Sequence, residues 1–540
     1  MGKLVAQRQS STDDLRQLAG RLVVGRLPGL ELDDDHKQAL QEGTIGGITL
    51  FKDNVSDLEQ LARVCGEIIE ASHHIPVLTV DQEGGAVQRF DHAISPLPSP
   101  MALAALNKSE KNPDKKIVEK ITAISARQLK TLGFNMLLSP TLDLQTNPKN
   151  PIICTRAYGD DPKAVADIGG RIATEIEAQG LIAVGKHFPG HGSTSEDSHL
   201  SIATVDKSEA ALEASDLVPF AKLKDQLRAI LVGHIWLPQL VSKKSPATVC
   251  PEIVTELLQE KMGFKGLVVS DDMIMKAITE GMGLGEACVQ AVIAGEDLLL
   301  ICGTFAQSME SVDALVEATI SGRLTKERLL EANAKIDALF NERQDYLKVS
   351  DFSALSKFAG EVSIDSTLSA ATSAQAIAVI KSSEDSKSAA ALVGSAKIIS
   401  IVAPAHFRYP MNLYANLRRL MAEDIDIHDI RYQVNPPPEL LSDIADQCSG
   451  LIIYVTYRSA INDGQKALGL CLAARCKDAD VNSTIIHVAS DSPYDITFMP
   501  GFENFVSLAT FDPSDRAIAG LARVLTGDAE ALGVCPVNLN

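Results

Sequence analysis

Cysteine is sparse in this sequence and follows no recognised pattern. Nine cysteines are scattered over 540 residues, and none of them belongs to a CxxC pair. An odd number without paired spacing argues against both a disulfide framework and a zinc ribbon. We therefore expect free thiols in a reducing compartment, and the predicted location is the cytoplasm.

Positive charge and long apolar runs are also in short supply. The chain holds 50 Lys and Arg against 70 Asp and Glu, a formal net charge of -20. This balance argues against a nucleic-acid or anionic-membrane partner, because both kinds of binding depend on Lys and Arg that neutralise phosphates. No run approaches the roughly 18 apolar residues of a membrane span, and residues 1–8 lack the apolar core of a signal peptide. A neutral or cationic small substrate is the expectation.

What the sequence does contain is a repeated alternation of short apolar runs with longer stretches of helical spacing. Such alternation is typical of βα units with a parallel sheet. Eight runs fall within the first 340 residues, a number that predicts a (β/α)8 barrel of the TIM type. They are Gly20 to Gly25, Gly46 to Phe51, Ile75 to Val80, Phe134 to Pro140, Leu181 to Phe188, Ala229 to Ile235, Gly266 to Asp272 and Asp297 to Cys302.

Polar side chains follow the carboxyl ends of several of these runs. The active site of such a barrel lies at the carboxyl ends of its strands. Polar loops are common after any strand, but several strands together make an active site the better explanation. The residues concerned are Asp81, Asp143, Lys186 with His187, His234 and Asp271.

A smaller α/β sandwich domain is predicted after the barrel. We place the catalytic barrel at residues 1–345, a linker with some helix at 346–375, and the second domain at 376–540. Five further apolar runs support the second domain: Ile377 to Ile380, Ile398 to Ala403, Leu451 to Tyr457, Thr484 to Val488 and Phe505 to Thr510. No catalytic motif is recognisable among them.

One loop concentrates chemically able side chains. Lys186-His187-Phe188-Pro189-Gly190-His191-Gly192-Ser193-Thr194-Ser195-Glu196 continues into Asp197-Ser198-His199. The His-x3-His spacing would suit a metal on a helix, but Pro189 and Gly190 interrupt any helix there, so we expect no metal. The serines do not form a Gly-x-Ser-x-Gly elbow, and the glycines near residue 283 do not form a dinucleotide fingerprint.

A carboxylate from one strand end and an acid/base group from another remain possible, as covalent glycoside or acyl transfer requires. Asp271 is the candidate carboxylate, because it ends the run that begins at Gly266. Asp197 and His199 are two residues apart, so in an extended segment both side chains project to the same side. The carboxylate can then orient the imidazole and raise its pKa toward neutrality, where it can donate and accept a proton.

At these residues the sequence resembles the β-N-acetylglucosaminidases of glycoside hydrolase family 3, in their two-domain form. The Lys186 to Gly192 segment with Asp197-Ser198-His199 is similar to the signature of that family. Further stretches agree in order: Asp81-Gln82-Glu83-Gly84-Gly85, Ser139 to Asp143 with Asn147-Pro148 and Asn150-Pro151, Arg156 to Pro162, Pro246-Ala247-Thr248, Gly263-Phe264 with Gly266, and Ser270-Asp271-Asp272-Met273.

This resemblance implies specific roles. Asp271 would be the nucleophile of a retaining mechanism, and His199, held by Asp197, the general acid/base. Substrate-binding residues would be Asp81, Arg156, Lys186 and His187, which would hold the hydroxyls and N-acetyl group of N-acetylglucosamine. No cofactor is implied, and the partner is a carbohydrate that ends in N-acetylglucosamine.

Alternatives stay open on the sequence alone. A phosphorylase, in which phosphate replaces water, is the nearest, because a neutral imidazole adds no second negative charge beside an anionic attacker. A β-glucosidase is a weaker alternative, since that branch of the family lacks the His199 loop. An inactive sugar-binding module is a third. The sequence does not choose between a chitin oligomer and a cell-wall muropeptide, nor does it indicate an oligomeric state.

Overall fold

A closed barrel of eight parallel strands forms the first part of the computed structural model. The structure describes residues 13–196, 202–342, 345–382, 388–406, 411–476, 484–497 and 505–539. Each barrel strand pairs with the next along the chain, and the last pairs back with the first, which confirms the predicted (β/α)8 barrel. The strands are β1 Val23–Arg26, β2 Gly47–Thr49, β3 Val77–Val80, β4 Met136–Leu137, β5 Ile182–Phe188, β6 Ala229–Val232, β7 Leu267–Asp272 and β8 Leu298–Leu300.

The barrel strands are apolar on both faces, as expected for a parallel sheet covered by helices. Leu231 and Val269 belong to one core cluster, whereas their neighbours Ile230 and Val268 belong to another. The pairing of β7 with β8 shifts register between Val269 and Asp272, so simple alternation ends there. The strand ends in two adjacent carboxylates, Asp271 and Asp272.

Helices surround the barrel and one long helix follows it. None of the helices in the described part of the chain is long and apolar enough to span a membrane. The barrel helices are Asp34–Glu42, Leu58–Ala71, Pro100–Lys108, Ile117–Thr131, Pro162–Ala178, Glu209–Glu213, Leu217–Leu223, Lys276–Met282, Leu284–Ala294, Phe305–Ile320 and Lys326–Leu339, with a π-helix at Glu252–Lys261. The stretch predicted as a linker contains the helix Phe352–Gln375, and the domain boundaries at residues 345 and 375 stay predictions.

The second domain contains a six-stranded sheet between two layers of helices, in agreement with the predicted α/β sandwich. In the order in which they pair, the strands are β9 Ala378–Ser382, β14 Phe505–Ala509, β13 Ile485–Ala489, β12 Leu451–Thr456, β10 Ile398–Ala405 and β11 Asp426–Gln433. All neighbouring pairs are parallel except the antiparallel pair of β9 and β14. The helices are Ala389–Ser395, Leu413–Leu420, Leu441–Asp446, Asp463–Cys476 and Asp515–Thr526.

Alternation along β12 explains why this domain has two cores. Ile453 packs with Leu521 and Leu525 of the last helix, whereas Tyr454 packs on the opposite face with Leu468. Both faces of the strand are thus covered, and the whole of β12 is buried. This explains why the sequence of β12 reads as one continuous apolar run.

The carboxyl ends of the second sheet face the mouth of the barrel. Tyr494 Oη, just after β13, donates to the carbonyl oxygen of Gln145 at 3.0 Å, and Ser99 Oγ donates to Phe511 O, just after β14, at 2.6 Å. In open parallel sheets, ligands bind beyond the carboxyl ends of the strands, as they do in TIM barrels. The carboxyl-end face of the barrel and that of the second sheet, where ligand binding is expected in each domain, therefore lie against each other.

Two carboxyl groups buried beneath this interface predict a pH-dependent stability. Burial raises the pKa of Asp495 to about 7 and that of Asp512 to about 6. An unfolded carboxyl titrates near 4, so each group stabilises the fold fully below that pH, and this contribution is lost as the pH rises through 6 and 7. For Asp495 we expect a loss of about 2 kcal/mol in the free energy of unfolding between pH 5.5 and pH 8.

Denaturant unfolding of the wild type and Asp495→Asn at both pH values measures this loss. In the wild type the backbone N–H of Ser459 donates to Asp495 Oδ1 at 2.7 Å. The Asn side chain retains an oxygen that can accept this hydrogen bond. The variant should therefore lose less stability than the wild type between the two pH values. An equal loss in both proteins would contradict the assignment to Asp495.

Candidate active site

A cavity of about 400 Å³ opens at the mouth of the barrel, and both domains line it. The barrel contributes the carboxyl ends of its strands and the loops after them. The second domain contributes His406, Tyr457 and Arg458, which follow β10 and β12. Five of the sequence-predicted site residues come together in this cavity: Asp81, Arg156, Lys186, His187 and Asp271.

A buried ion-pair network forms one wall. Lys186 Nζ lies 2.6 Å from Asp81 Oδ1 and 2.5 Å from Glu83 Oε1. Arg156 donates to Glu83 from Nε at 2.9 Å and from Nη2 at 2.8 Å. Burial alone would raise the pKa of Glu83, but the charges of Arg156 and Lys186 outweigh burial and hold that pKa below its usual range. Glu83 therefore stays an anion that orients both cations.

Glu83 is a residue that the sequence prediction missed, although it lies in the Asp81 to Gly85 motif. The two glycines that follow explain how it reaches the network. Gly84 has a φ of +105° and Gly85 a φ of +57°, and a Cβ at Gly84 would lie 2.1 Å from the carbonyl oxygen of Pro98. Only glycine fits such a turn, which keeps Asp81 and Glu83 beside the same lysine.

His187 is oriented from both sides of its ring. Its Nδ1 lies 2.6 Å from Asp143 Oδ2, and its Nε2 lies 3.3 Å from Arg156 Nη2. A guanidinium can only donate, so Nε2 accepts and Nδ1 carries the proton that Asp143 accepts. Asp143 also accepts from the backbone N–H of His191 at 2.6 Å. The carboxylate that ends the β4 region thus fixes both the tautomer of His187 and the loop after β5.

Two further histidines of the barrel domain, His191 and His234, have structural contacts. Burial lowers the pKa of His191 to about 4, so its imidazole is neutral at ordinary pH. Its Nδ1 lies 2.8 Å from Thr194 Oγ1. His234 is fully buried, with Nδ1 2.7 Å from Thr248 Oγ1 and Nε2 2.9 Å from the carbonyl oxygen of Asp272.

Two adjacent carboxylates end β7, and their surroundings differ. Asp272 Oδ1 accepts from the backbone N–H groups of Cys302 at 2.9 Å and Ile274 at 3.2 Å, which ties it to the barrel wall. Burial raises the pKa of Asp272 to about 6. Asp271 lines the cavity with one oxygen, Oδ1, accepting from the N–H of Asp272 at 2.9 Å. Both carboxylates line the cavity, and of the two Asp272 is the one bound to the backbone N–H groups of Cys302 and Ile274.

The predicted acid/base pair, Asp197 and His199, lies outside the described residues. The segment that leads to it is anchored by two asparagines, Asn147 and Asn150, whose role the sequence did not predict. Asn150 Nδ2 donates to the carbonyl oxygen of His191 at 2.9 Å, and Asn147 Nδ2 donates to that of Thr194 at 3.0 Å. The Asn-Pro motifs that contain them were the feature of the sequence from which this role could have been predicted.

Within the residues that the structure describes, no cluster of three His, Cys, Asp or Glu side chains could hold a metal ion.

Lys186→Met should cost both stability and activity, because it leaves Glu83 and Asp81 buried without their shared cation. We expect the free energy of unfolding to fall by about 3 kcal/mol, and kcat/KM to fall by roughly 100-fold or more, since a charged hydrogen-bond donor in the cavity is lost. Lys335→Met is the matched control: it removes a lysine 2.8 Å from the buried Asp297 beside the amino end of β8, away from the cavity. That variant should lose stability but keep its activity. Equal activity losses in both variants would contradict a role of Lys186 in the site.

Comparison with known sequences places these features in a family. A family model described as "Glycosyl hydrolase family 3 N terminal domain" matches residues 13–339. The beta-hexosaminidase of Alkalilimnicola ehrlichii is 35% identical over 287 residues, which are 53% of this chain and 81% of that protein. The beta-hexosaminidase of Tolumonas auensis is 33% identical over 289 residues, 53% of this chain and 84% of that protein. The aligned region in both is about half of the present chain.

Solved structures extend the similarity to both domains. A glycoside hydrolase family 3 β-N-acetylglucosaminidase from Paenibacillus sp. str. FPU-7 superposes with a TM-score of 0.82 at 28% identity, covering 97% of this chain and 99% of that one. The beta-glucoside phosphorylase BglX superposes with a TM-score of 0.78 at 19% identity, covering 99% of this chain and 95% of that one. The second likeness shows the shared fold alone.

Proposed function

Because the chain belongs to glycoside hydrolase family 3, we propose that it is a retaining, exo-acting β-N-acetylglucosaminidase. The substrate is a chitin- or peptidoglycan-derived fragment that ends in β-linked N-acetylglucosamine. The observation that carries the proposal is the meeting of Asp271 with Asp81, Arg156, Lys186 and His187, which come from three other barrel strands or the loops after them, in one cavity. Both the beta-hexosaminidase relatives and the Paenibacillus β-N-acetylglucosaminidase support the choice of sugar.

The reaction proceeds in two displacements at the anomeric carbon. Asp271 attacks that carbon and forms a glycosyl ester, while His199, oriented by Asp197, gives a proton to the departing glycosidic oxygen. His199 then takes a proton from water, whose oxygen attacks the same carbon and releases Asp271 as a carboxylate. Two inversions give net retention of configuration.

The ion-pair wall supplies recognition of the sugar. Asp81 accepts hydrogen bonds from hydroxyl groups, and Arg156 and Lys186 donate to hydroxyl or acetamido oxygens; such charged hydrogen bonds are stronger than neutral ones. His187, with its proton fixed on Nδ1 by Asp143, accepts from Arg156 at Nε2 and so orients that guanidinium beside the sugar. Residues of the second domain help to line this cavity, and an enclosure by both domains supports exo action.

A phosphorylase is the second candidate, and one feature of the cavity favours it. Three guanidinium groups line the cavity, those of Arg89, Arg156 and Arg458, so an anionic acceptor could replace water on the glycosyl ester.

A cytoplasmic location is part of our proposal, supported by the nine cysteines, all of which are free thiols.

Product analysis with four matched reactions tests the proposal. The p-nitrophenyl β-N-acetylglucosaminide and β-glucoside are each incubated with and without phosphate, and the first-formed anomer is read by NMR. We expect turnover of the acetamido sugar only, with free β-N-acetylglucosamine as the first product. A phosphate-dependent sugar 1-phosphate would instead establish a phosphorylase, and faster turnover of the glucoside would establish a β-glucosidase. Absence of turnover would contradict both enzyme proposals.

A further inference from the structure

The loop that carries Arg156 is held from two sides. On the barrel side, Asn150 Oδ1 accepts from the backbone N–H groups of Ile152 at 2.9 Å and Ile153 at 2.7 Å. The same side chain donates to the loop after β5, as described above. Residues 150–156, here called the Arg156 loop, are therefore tied at their start to the segment that leads toward the acid/base pair.

On the other side, the second domain grips the loop through one buried carboxylate. Asp491, which follows β13 and is fully buried, accepts from Thr155 Oγ1 at 2.9 Å. It also forms an ion pair with Arg458 Nε, and Arg458 Nη1 in turn donates to the carbonyl oxygen of Pro151 at 2.5 Å. The Arg156 loop is thus bonded to the second domain near both of its ends, and one contact is made by the residue next to Arg156.

Backbone conformation indicates that these contacts hold the loop in a conformation it would not otherwise favour. Cys154 has a φ of +42° and Arg458 a φ of +50°, both in the left-handed region that residues with a side chain seldom adopt. Such conformations persist where the surrounding contacts impose them, and they are common near functional sites. Here the two strained residues lie on opposite sides of the same interdomain contact.

We propose that Asp491 and Arg458 of the second domain are positioning residues for sugar binding, which act by fixing Arg156 against Glu83 at the cavity wall. The inference rests on the proposed function, in which Arg156 contacts the sugar. It gives the second domain a part in the reaction centre, although the curated relatives align with only about half of this chain. The bond from Thr155 to Asp491 is the link that transmits this effect.

A pair of substitutions at Thr155 isolates that link. Thr155→Val keeps the shape of the side chain but removes the hydroxyl donor, whereas Thr155→Ser keeps the hydroxyl. We expect Thr155→Val to raise KM for the p-nitrophenyl β-N-acetylglucosaminide by about tenfold, the usual cost of one lost hydrogen bond to a charged group, with kcat changed less than threefold. Thr155→Ser should restore KM to within about twofold of the wild type.

Two comparisons separate positioning from general weakening of the interface. Tyr494→Phe removes another interdomain hydrogen bond, to Gln145, and should leave KM unchanged. In an Arg156→Ala background, Thr155→Val should raise KM no further, because a residue that acts through Arg156 has no effect once Arg156 is absent. An equal rise in KM in both backgrounds, or equal effects of Val and Ser, would overturn the proposal.

A measurement that does not depend on activity keeps the two proposals distinguishable. Hydrogen exchange of peptides that cover residues 150–156 should become faster in Thr155→Val and stay slow in Thr155→Ser. If the wild type hydrolyses no N-acetylglucosaminide, the proposed function fails, and exchange still reports whether Asp491 holds the loop. Unchanged exchange in Thr155→Val would overturn the positioning proposal even in an active enzyme.

Discussion

Asp271→Asn is expected to lower kcat for the p-nitrophenyl β-N-acetylglucosaminide by roughly 10,000-fold or more, the loss typical of removing a covalent nucleophile. The amide retains the size of the carboxylate. In the wild type the N–H of Asp272 donates to Asp271 Oδ1, and the amide oxygen of Asn can still accept this bond. It cannot, however, form a stable ester at the anomeric carbon. Release of p-nitrophenol in the steady state measures the effect, and thermal unfolding shows whether the fold is retained.

Asp272→Asn is the matched control for that variant, since it changes the neighbouring carboxylate in the same strand. Asp272 Oδ1 accepts from the backbone N–H groups of Cys302 and Ile274. The Asn side chain of the variant keeps this acceptor oxygen, so we expect kcat to fall by only about tenfold. Trapping with a 5-fluoro-β-N-acetylglucosaminyl fluoride should attach the sugar to the peptide that contains Asp271. A label on another peptide, or a larger loss for Asp272→Asn than for Asp271→Asn, would contradict the assignment.

The barrel was predictable because its strands are buried on both faces. Runs such as Leu181 to Phe188 need no knowledge of their neighbours to be recognised, and β5 occupies Ile182–Phe188. Strand β11, Asp426–Gln433, was missed because it is an edge strand that pairs on one side only, with β10. Five of its eight residues are polar or charged, so the apolar run that marks the other strands is lacking.

Most of the candidate site was predictable for a different reason. The carboxyl ends of parallel strands must meet, so Asp81, Lys186 and Asp271 could be grouped from sequence order alone. Glu83 was missed because its contact with Lys186 and Arg156 depends on a turn at Gly84 and Gly85. The hydrophobic pattern of the sequence does not predict that turn. Such a residue becomes recognisable only when the ion pairs that surround it are known.

The contribution of the second domain could not be read from the sequence at all. His406, Tyr457, Arg458 and Asp491 all follow strands of the second sheet, and nothing in their spacing relates them to Arg156, some 300 residues earlier in the chain. Their relation to the barrel comes from how two carboxyl-end surfaces pack together. That geometry is fixed by contacts between distant segments, such as the bond from Arg458 to Pro151, and not by a local pattern.

His199→Ala is expected to have an effect that depends on the leaving group. A general acid contributes about 100- to 10,000-fold, and most to the departure of a poor leaving group such as a sugar hydroxyl. The variant should therefore lose roughly 1,000-fold in kcat/KM for N,N'-diacetylchitobiose but about tenfold or less for cleavage of a p-nitrophenyl glycoside, whose leaving group departs without a proton. Parallel assays of the two substrates measure this difference.

Asp197→Asn tests the same proposal further, because it keeps a side chain of the same size but removes the charge proposed to raise the pKa of the His199 imidazole. The pH at which kcat/KM for the disaccharide falls on the alkaline side should move to a lower value, since an imidazole without its carboxylate loses its proton more readily. His199→Ala should abolish that alkaline fall for the disaccharide. Equal losses on both substrates, or an alkaline limb unchanged by either substitution, would show that the proton comes from another group.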